Sequence, residues 1–195
     1  MAASSTSDRI RLATPADAPA CADIYREAVL NGTGTFETEP PDVDEMRVRM
    51  GRILGVGRPW LVAERDGRLL GYAYMGQFRE REAYRHFGET SVYVAPDAKG
   101  QGIGRRLLER LLVDAKAAGF TQAVAVIGDS GNQGSIALHT AGHQRPVHRI
   151  VTDNENADGK PALHRCQRQR KGPVRPGQFE HEHAVNMDPQ PAPGN

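Results

Sequence analysis

The sequence predicts a single α/β (α+β) domain, and three observations carry that prediction. Apolar residues switch between period two and period 3.6 along the chain, which gives the element order β-α-α-β-β-β-α-β-α. The run from Val92 to Leu108 joins an apolar strand to an amphipathic helix through a turn holding Gly100, Gly102 and Gly104. At 195 residues the chain is long enough to bury a sizeable core.

Each element has a local cause. Ile10 to Ala13 alternates as a short strand, and Thr14-Pro15-Ala16-Asp17 opens a helix with Thr14 as cap and Pro15 at the first helical position. Cys21, Ile24, Tyr25 and Ala28 form its buried stripe, and Asn31-Gly32-Thr33-Gly34-Thr35 breaks it into a loop carrying Phe36. A second helix from about Asp42 aligns Val43, Met46, Met50 and Ile53. Trp60 to Ala63 and Leu69 to Met75 read as a hairpin turning at Asp66-Gly67. A charged, aromatic segment, Gln77 to Gly88, leads into the strand Glu89 to Val94. The helix after the glycine turn buries Ile103, Leu107, Leu108, Leu111, Leu112 and Ala115 and stops at Gly119. Ala123 to Ile127 is an interior strand, and a last helix carries Ile136, Leu138 and His139. The expected organisation is a polar leader over 1–8, the domain over 9–151, and an irregular or disordered tail over 152–195. That tail holds six prolines and a basic stretch from His164 to Lys171.

Composition narrows the function. Net charge is +1, so bulk attraction to nucleic acid or membrane is not expected, and the short basic stretch lacks interleaved aromatics. No apolar run reaches ~20 residues and no signal-peptide pattern is present, so a cytoplasmic protein is the natural reading. Cys21 and Cys166 suggest neither a disulfide framework nor a zinc site, and His181-Glu182-His183 is too short for a metal site.

The strand–glycine turn–helix run points several backbone N–H groups at one spot before a helix N-terminus, which suits a pyrophosphate. Lys99, Arg105 and Arg106 add positive charge. The nucleotide P-loop is excluded because no Gly-Lys-Ser/Thr follows, and the dinucleotide fingerprint because the spacing is G-x-G-x-G and late in the chain. The loop resembles the acetyl-CoA loop of the GNAT acetyltransferase superfamily, Q/R-x-x-G-x-G/A, with Lys99, Gly102 and Gly104 at its positions.

Residues 8 to about 151 resemble the phosphinothricin and methionine sulfoximine N-acetyltransferase branch of that superfamily. The resemblance is carried by Ile24-Tyr25, Ala28 to Asn31, Gly32 to Phe36, Gly71-Tyr72-Ala73 and Arg81 to Tyr84. Further along, it is carried by Glu89 to Val94, Ala125 to Gly128, Asn132, Ser135-Ile136 and Leu138-His139. It implies a mixed central sheet flanked by helices, with acetyl-CoA as co-substrate, no metal, a small-molecule amine as partner and a possible homodimer. Such a fold closes with two final strands. Here the last helix ends Ala141-Gly142-His143 in place of Leu-Gly-Phe, so those strands are expected to be missing or replaced.

An amine attacking a thioester must first lose a proton, and Glu89, heading the strand that enters the cradle, can take it directly or through water. The resemblance puts the family's catalytic glutamate there; the plain alternative is a solvated strand-end carboxylate. Val92, Tyr93 and Val94 would offer a strand edge to the pantetheine amides. Gly100, Gln101, Gly102, Ile103, Gly104 and Arg105 would hold the pyrophosphate, and Asn132 matches the family's cofactor-contacting asparagine. His139 falls where relatives outside this branch place a tyrosine that protonates the leaving thiolate, and a structural helix residue is the equal alternative. Clustered Arg79, Arg81 and Arg85 suit a carboxylate plus a tetrahedral polar group, with solvated surface arginines as the alternative. The branch's substrate positions fall on Arg79, Glu80, Arg81, Glu89, Thr90 and Ser91, with Phe36 as a pocket wall. The leading expectation is acetylation of the α-amine of a small amino-acid analogue. A protein N-terminus or another small amine, or a degenerate acetyl-CoA-binding module, stand beside it.

Overall fold

Strands form where residues alternate and helices where the 3.6 period holds. The computed structural model describes residues 8–127, 129 and 131–140, with the backbone of 149–152 and 185–186. In chain order it contains β1 (Arg9–Leu12), α1 (Ala18–Asn31), α2 (Val43–Gly55), β2 (Trp60–Arg65), β3 (Arg68–Gln77) and β4 (Phe87–Val94). There follow α3 (Ile103–Ala117), β5 (Gln122–Ile127), α4 (Gln133–Thr140), β6 (Arg149–Thr152) and β7 (Val185–Asn186). The sheet runs β1-β2-β3-β4-β5-β6 with β7 also on β5. Its first four strands are antiparallel, and β4, β5 and β6 are parallel.

The hairpin between β2 and β3 turns at Asp66 and Gly67, with φ of 52° and 78°, the left-handed pair a tight two-residue turn requires. α1 and α2 cover one face through Cys21, Tyr25, Val29, Met46 and Met50; α3 packs the other through Ile103, Leu107 and Leu111. Gly71 lets β3 and β4 approach closely, because a Cβ there would lie 2.7 Å from the Tyr93 carbonyl oxygen. On the α1 and α2 face runs an aromatic stack. Trp60 lies on Tyr74 at 4.4 Å between centroids, Tyr72 on Tyr93 at 5.2 Å, and Tyr25 meets Tyr93 edge-on at 4.9 Å.

Two details depart from the sequence reading. Thr14 caps as expected, its hydroxyl and its N–H both donating to the Asp17 carboxylate in a capping box, but the element it caps is a single 3-10 turn, Pro15–Asp17, before α1. The sheet also closes further than expected. β6 pairs with the second half of β5, Val124 opposite Arg149 to Ile127 opposite Thr152, and β7 pairs antiparallel with Gln122 and Ala123. The β-branched run Ile150-Val151-Thr152 favours an extended backbone, but four residues are too few to display a period. Parallel pairing of β6 directly on β5 replaces an ordinary closing hairpin. The remainder of the expected tail, the Ala141-Gly142-His143 helix ending and most of the leader lie outside the described residues.

One buried ion cluster locks β1, the start of α1 and β2 together. The Arg11 guanidinium donates two bonds of 2.8 Å to Asp17 and one of 2.9 Å to Glu64. That guanidinium holds the Asp17 carboxyl below its ordinary value. A depressed carboxylate adds stability above the unfolded-state pKa of ~3.9 and loses it as pH falls through the folded value. Asp17→Asn should therefore cost about 2 kcal/mol at pH 7, the scale for weakening a largely buried charge-assisted pair. Urea unfolding of both proteins at pH 7 and near pH 3 checks this, with the difference shrinking at the acid end.

Candidate active site

β4 is paired differently along its two edges, and the site lies in the difference. Its β3 edge is continuous from Gln77 opposite Gly88 to Gly71 opposite Val94. Its β5 edge pairs only Phe87, Gly88 and Glu89, with Gln122, Ala123 and Val124. Thr90 stands where the two parallel strands part: it is buried, and its hydroxyl donates to the Val124 carbonyl at 3.2 Å. From Ser91 to Val94 that edge of β4 has no strand partner among the described residues. An unpaired edge holds free amide and carbonyl groups that an extended ligand can bond.

A groove of about 710 Å³ opens in this fork. Val92, Tyr93 and Val94 form one wall, Ile24 and Ala28 of α1 with Gly32 to Gly34 another, and Asn132, Ser135 and Leu138 the side toward α4. Its far end is the glycine turn. Gly100 and Gly102 both have φ of 75°, and a Cβ on either would meet nothing within 4 Å. The turn is thus an open cradle that a side chain would fill, and it lies at the N-terminus of α3, where unpaired N–H groups and the helix dipole favour an anion. The nearby guanidinium groups are largely committed. Arg106 and Arg65 share the Asp8 carboxylate, and Arg105 pairs with Glu109 at 2.8 Å. Lys99 is exposed and lines the groove. Binding at the cradle therefore falls first to backbone amides.

Glu89 sits on β4 just before the fork, opposite Gly76 of β3 and Val124 of β5. Burial alone raises its carboxyl above the ordinary value. Period two puts Glu89, Ser91 and Tyr93 on the α1 and α2 face, with Tyr74 opposite Ser91 in register. The loop after α1 reaches the same face. The Tyr25 hydroxyl lies 2.7 Å from the Thr35 hydroxyl, the Glu37 N–H donates to that hydroxyl, and Arg49 donates to Glu37 at 2.7 Å. Burial pushes the Tyr25 phenol up to about 12, so it stays protonated. At the other end of the face, the Arg79 guanidinium lies 5.2 Å from the Phe78 ring centroid and 5.7 Å from that of Tyr84.

Residues 21–143 match the acetyltransferase (GNAT) family. The chain belongs to that family. It is 50% identical over 132 residues to a phosphinothricin N-acetyltransferase of Alcaligenes faecalis, covering 68% of this chain and 67% of that protein. Against an L-methionine sulfoximine/L-methionine sulfone acetyltransferase of Salmonella typhimurium the identity is 38% over 130 residues, covering 67% and 75%. Among solved structures, a GNAT superfamily phosphinothricin acetyltransferase from Sinorhizobium meliloti in complex with acetyl-CoA matches with a TM-score of 0.67. That pair is 45% identical and covers 70% of this chain and 74% of the other.

In this GNAT domain, Val92, Tyr93, Val94, Gly100, Gly102, Ile103, Gly104, Arg105 and Asn132 line the groove together. Asn132 also caps α4, its Oδ1 accepting from the Ser135 N–H at 3.1 Å. Gln101 turns away: its amide donates to the Asp97 carbonyl and its oxygen accepts from Arg65, which braces the turn from outside. Thr90 is spent on the fork, and Arg79, Glu80, Arg81 and Phe36 are exposed on loops at the Glu89 end of the sheet. Arg85 pairs with Glu82 at 3.5 Å. His139 is buried, and its Nδ1 lies 2.8 Å from the Ser135 carbonyl, which can only accept. Nδ1 must therefore carry the proton, and burial lowers the ring's pKa. A neutral imidazole of that tautomer has no proton on Nε2 to give, and the groove is lined by its neighbours Ser135 and Leu138. The bond from Nδ1 to the Ser135 carbonyl and the burial fit the structural reading, one of the two that the sequence offers for His139. Sequence reasoning missed Tyr74, Thr35, Glu37 and Arg49 as polar walls near Glu89. The alternation Tyr72, Tyr74, Gly76 was visible, but its register against β4 was not.

No helix among the described residues is long and apolar enough to cross a membrane. A carboxyl whose folded pKa is raised by burial costs stability above the unfolded value of ~4.3 and nothing below it. Glu89→Gln should thus unfold at a higher temperature than the parent at neutral pH, with the gap closing near pH 4. Thermal melts across that range measure it.

Proposed function

We propose that this chain transfers the acetyl group of acetyl-CoA to the α-amine of a small amino-acid analogue of the phosphinothricin or methionine sulfoximine type. The observation that carries the reading is the fork between β4 and β5, with a backbone anion cradle at the far end of the groove and the half-buried Glu89 carboxyl on the last paired residue before the strands part. When bound, acetyl-CoA supplies an acyl group on a thiol leaving group.

The rest falls to the protein. Amides of Gly100 to Arg105 hold the pyrophosphate, and the open edge from Ser91 to Val94 bonds the pantetheine amides. This orients the thioester toward Glu89 and excludes water from one side. Glu89 takes a proton from the ammonium, directly or through a water, so the nitrogen lone pair is free to form the C–N bond; the C–S bond then breaks, sulfur leaves as a thiolate, and the second proton shed by the nitrogen neutralises it. A backbone N–H on the open strand edge stabilises the charge that develops on the carbonyl oxygen. The raised pKa of Glu89 makes its carboxylate a stronger base than a solvated glutamate. Arg79 and Arg81 receive the carboxylate and the tetrahedral group of the amine substrate.

Gly102→Asp puts a strained residue and a negative charge into the cradle, and should raise the KM for acetyl-CoA about tenfold or more. Parent-like acetyl-CoA affinity by calorimetry would place the cradle elsewhere. Glu89→Gln should keep acetyl-CoA binding while kcat falls ~10²-fold. In a thiol-release assay, methionine sulfoximine and phosphinothricin should outpace a peptide N-terminus; the reverse order would favour a protein N-terminal acetyltransferase.

A further inference from the structure

Gln77 ends β3, and its side chain ties three segments together. Its Nε2 donates to the Arg79 carbonyl at 2.7 Å and to the Arg81 carbonyl at 3.3 Å. Its Oε1 accepts from Arg58 Nη2 at 2.6 Å. Arg58 is anchored in turn, its N–H donating to the Ile53 carbonyl at the end of α2 and its guanidinium lying 5.7 Å from the Phe120 ring centroid. Gln77 pairs with Gly88, one step from the pair Gly76 and Glu89, so the pleat puts Gln77 and Glu89 on opposite faces of the sheet. Gln77 therefore grips the Arg79–Arg81 loop from behind, by its backbone carbonyls.

The Arg79 guanidinium stands on an aromatic platform. Phe78 packs on Phe87 at 4.9 Å, Tyr84 on Phe87 at 6.1 Å, and Arg79 lies over Phe78 and Tyr84. Phe87 shares the face of Glu89, two residues away. The loop's backbone course is thus set from one face while its charged side chains lie at the Glu89 end. We propose that Gln77 is a positioning residue for the amine substrate, setting the Arg79–Arg81 loop so that its two guanidinium groups meet the substrate's anionic groups. This rests on the reading of Arg79 and Arg81 as the amine-substrate site.

Gln77→Glu is the discriminating variant. It keeps the acceptor for Arg58 and replaces the amide donor by a carboxylate oxygen that repels both carbonyls. The KM for methionine sulfoximine should rise about tenfold, with kcat and the KM for acetyl-CoA within about twofold of the parent. Limited trypsin digestion, read by mass spectrometry, should show cleavage after Arg79 and Arg81 accelerating about tenfold, because a released loop opens more often. Gln77→Met, which removes the donor without adding charge, should move both readouts in the same direction. Unchanged cleavage overturns the grip. Faster cleavage with an unchanged amine KM upholds the grip and overturns the assignment of Arg79 and Arg81. A parallel rise in the KM for acetyl-CoA, or a fall in melting temperature that accounts for the cleavage, overturns the positioning role in favour of a general structural one.

Discussion

The parting of β4 and β5 after Glu89 is the constraint on which the rest of this structure depends. Parallel strands that stay paired leave no open edge in the middle of a sheet, and a ligand would have nowhere to enter. Here three residues of pairing hold the strands at one end. The Thr90 hydroxyl then satisfies the Val124 carbonyl that the lost ladder leaves over. A buried carbonyl without that donor would cost about 1–3 kcal/mol. The same geometry fixes Glu89 at the closed end, where low solvation raises its pKa, and aims the open edge toward the N-terminus of α3.

Charge around the groove is arranged so that most guanidinium groups near the glycine turn are already paired, which leaves the backbone amides of the turn as the open donors. Arg65 and Arg106 are neutralised on Asp8, Arg68 on Asp97 and Arg105 on Glu109. These pairs are largely exposed and individually weak. Their effect is geometric, because they tie the start of β1 and the β2–β3 hairpin to the glycine turn, with Gln101 bracing it between Asp97 and Arg65. A rigid turn presents preoriented N–H groups, and a preoriented donor loses less on binding than a flexible lysine.

The fold was legible in the sequence wherever a period had room to show. α2, with Asp42 as cap, and the long α3 stripe from Ile103 to Ala115 follow the predicted pattern, as does the Asp66-Gly67 hairpin. β6 was not legible, since four residues beside β5 owe their pairing to tertiary contact. The cradle residues were legible because glycines at a strand–helix junction constrain the backbone itself. Thr90 and Gln77 were not, because their hydrogen bonds depend on registers and on a loop path that no local pattern encodes. His139 is the instructive case: its position matched a proton donor, but the carbonyl it bonds decides which nitrogen holds the proton.

The chain has a single tryptophan, and the fold puts it where it can be heard. Trp60 is almost fully buried and stacked on Tyr74, which stands opposite Ser91, two residues from Glu89. Indole emission is sensitive to the polarity and the stacked partner of the ring, and no second indole blurs the signal. A ligand beside Ser91 would lie next to Tyr74, and so one ring away from an optical reporter native to the protein.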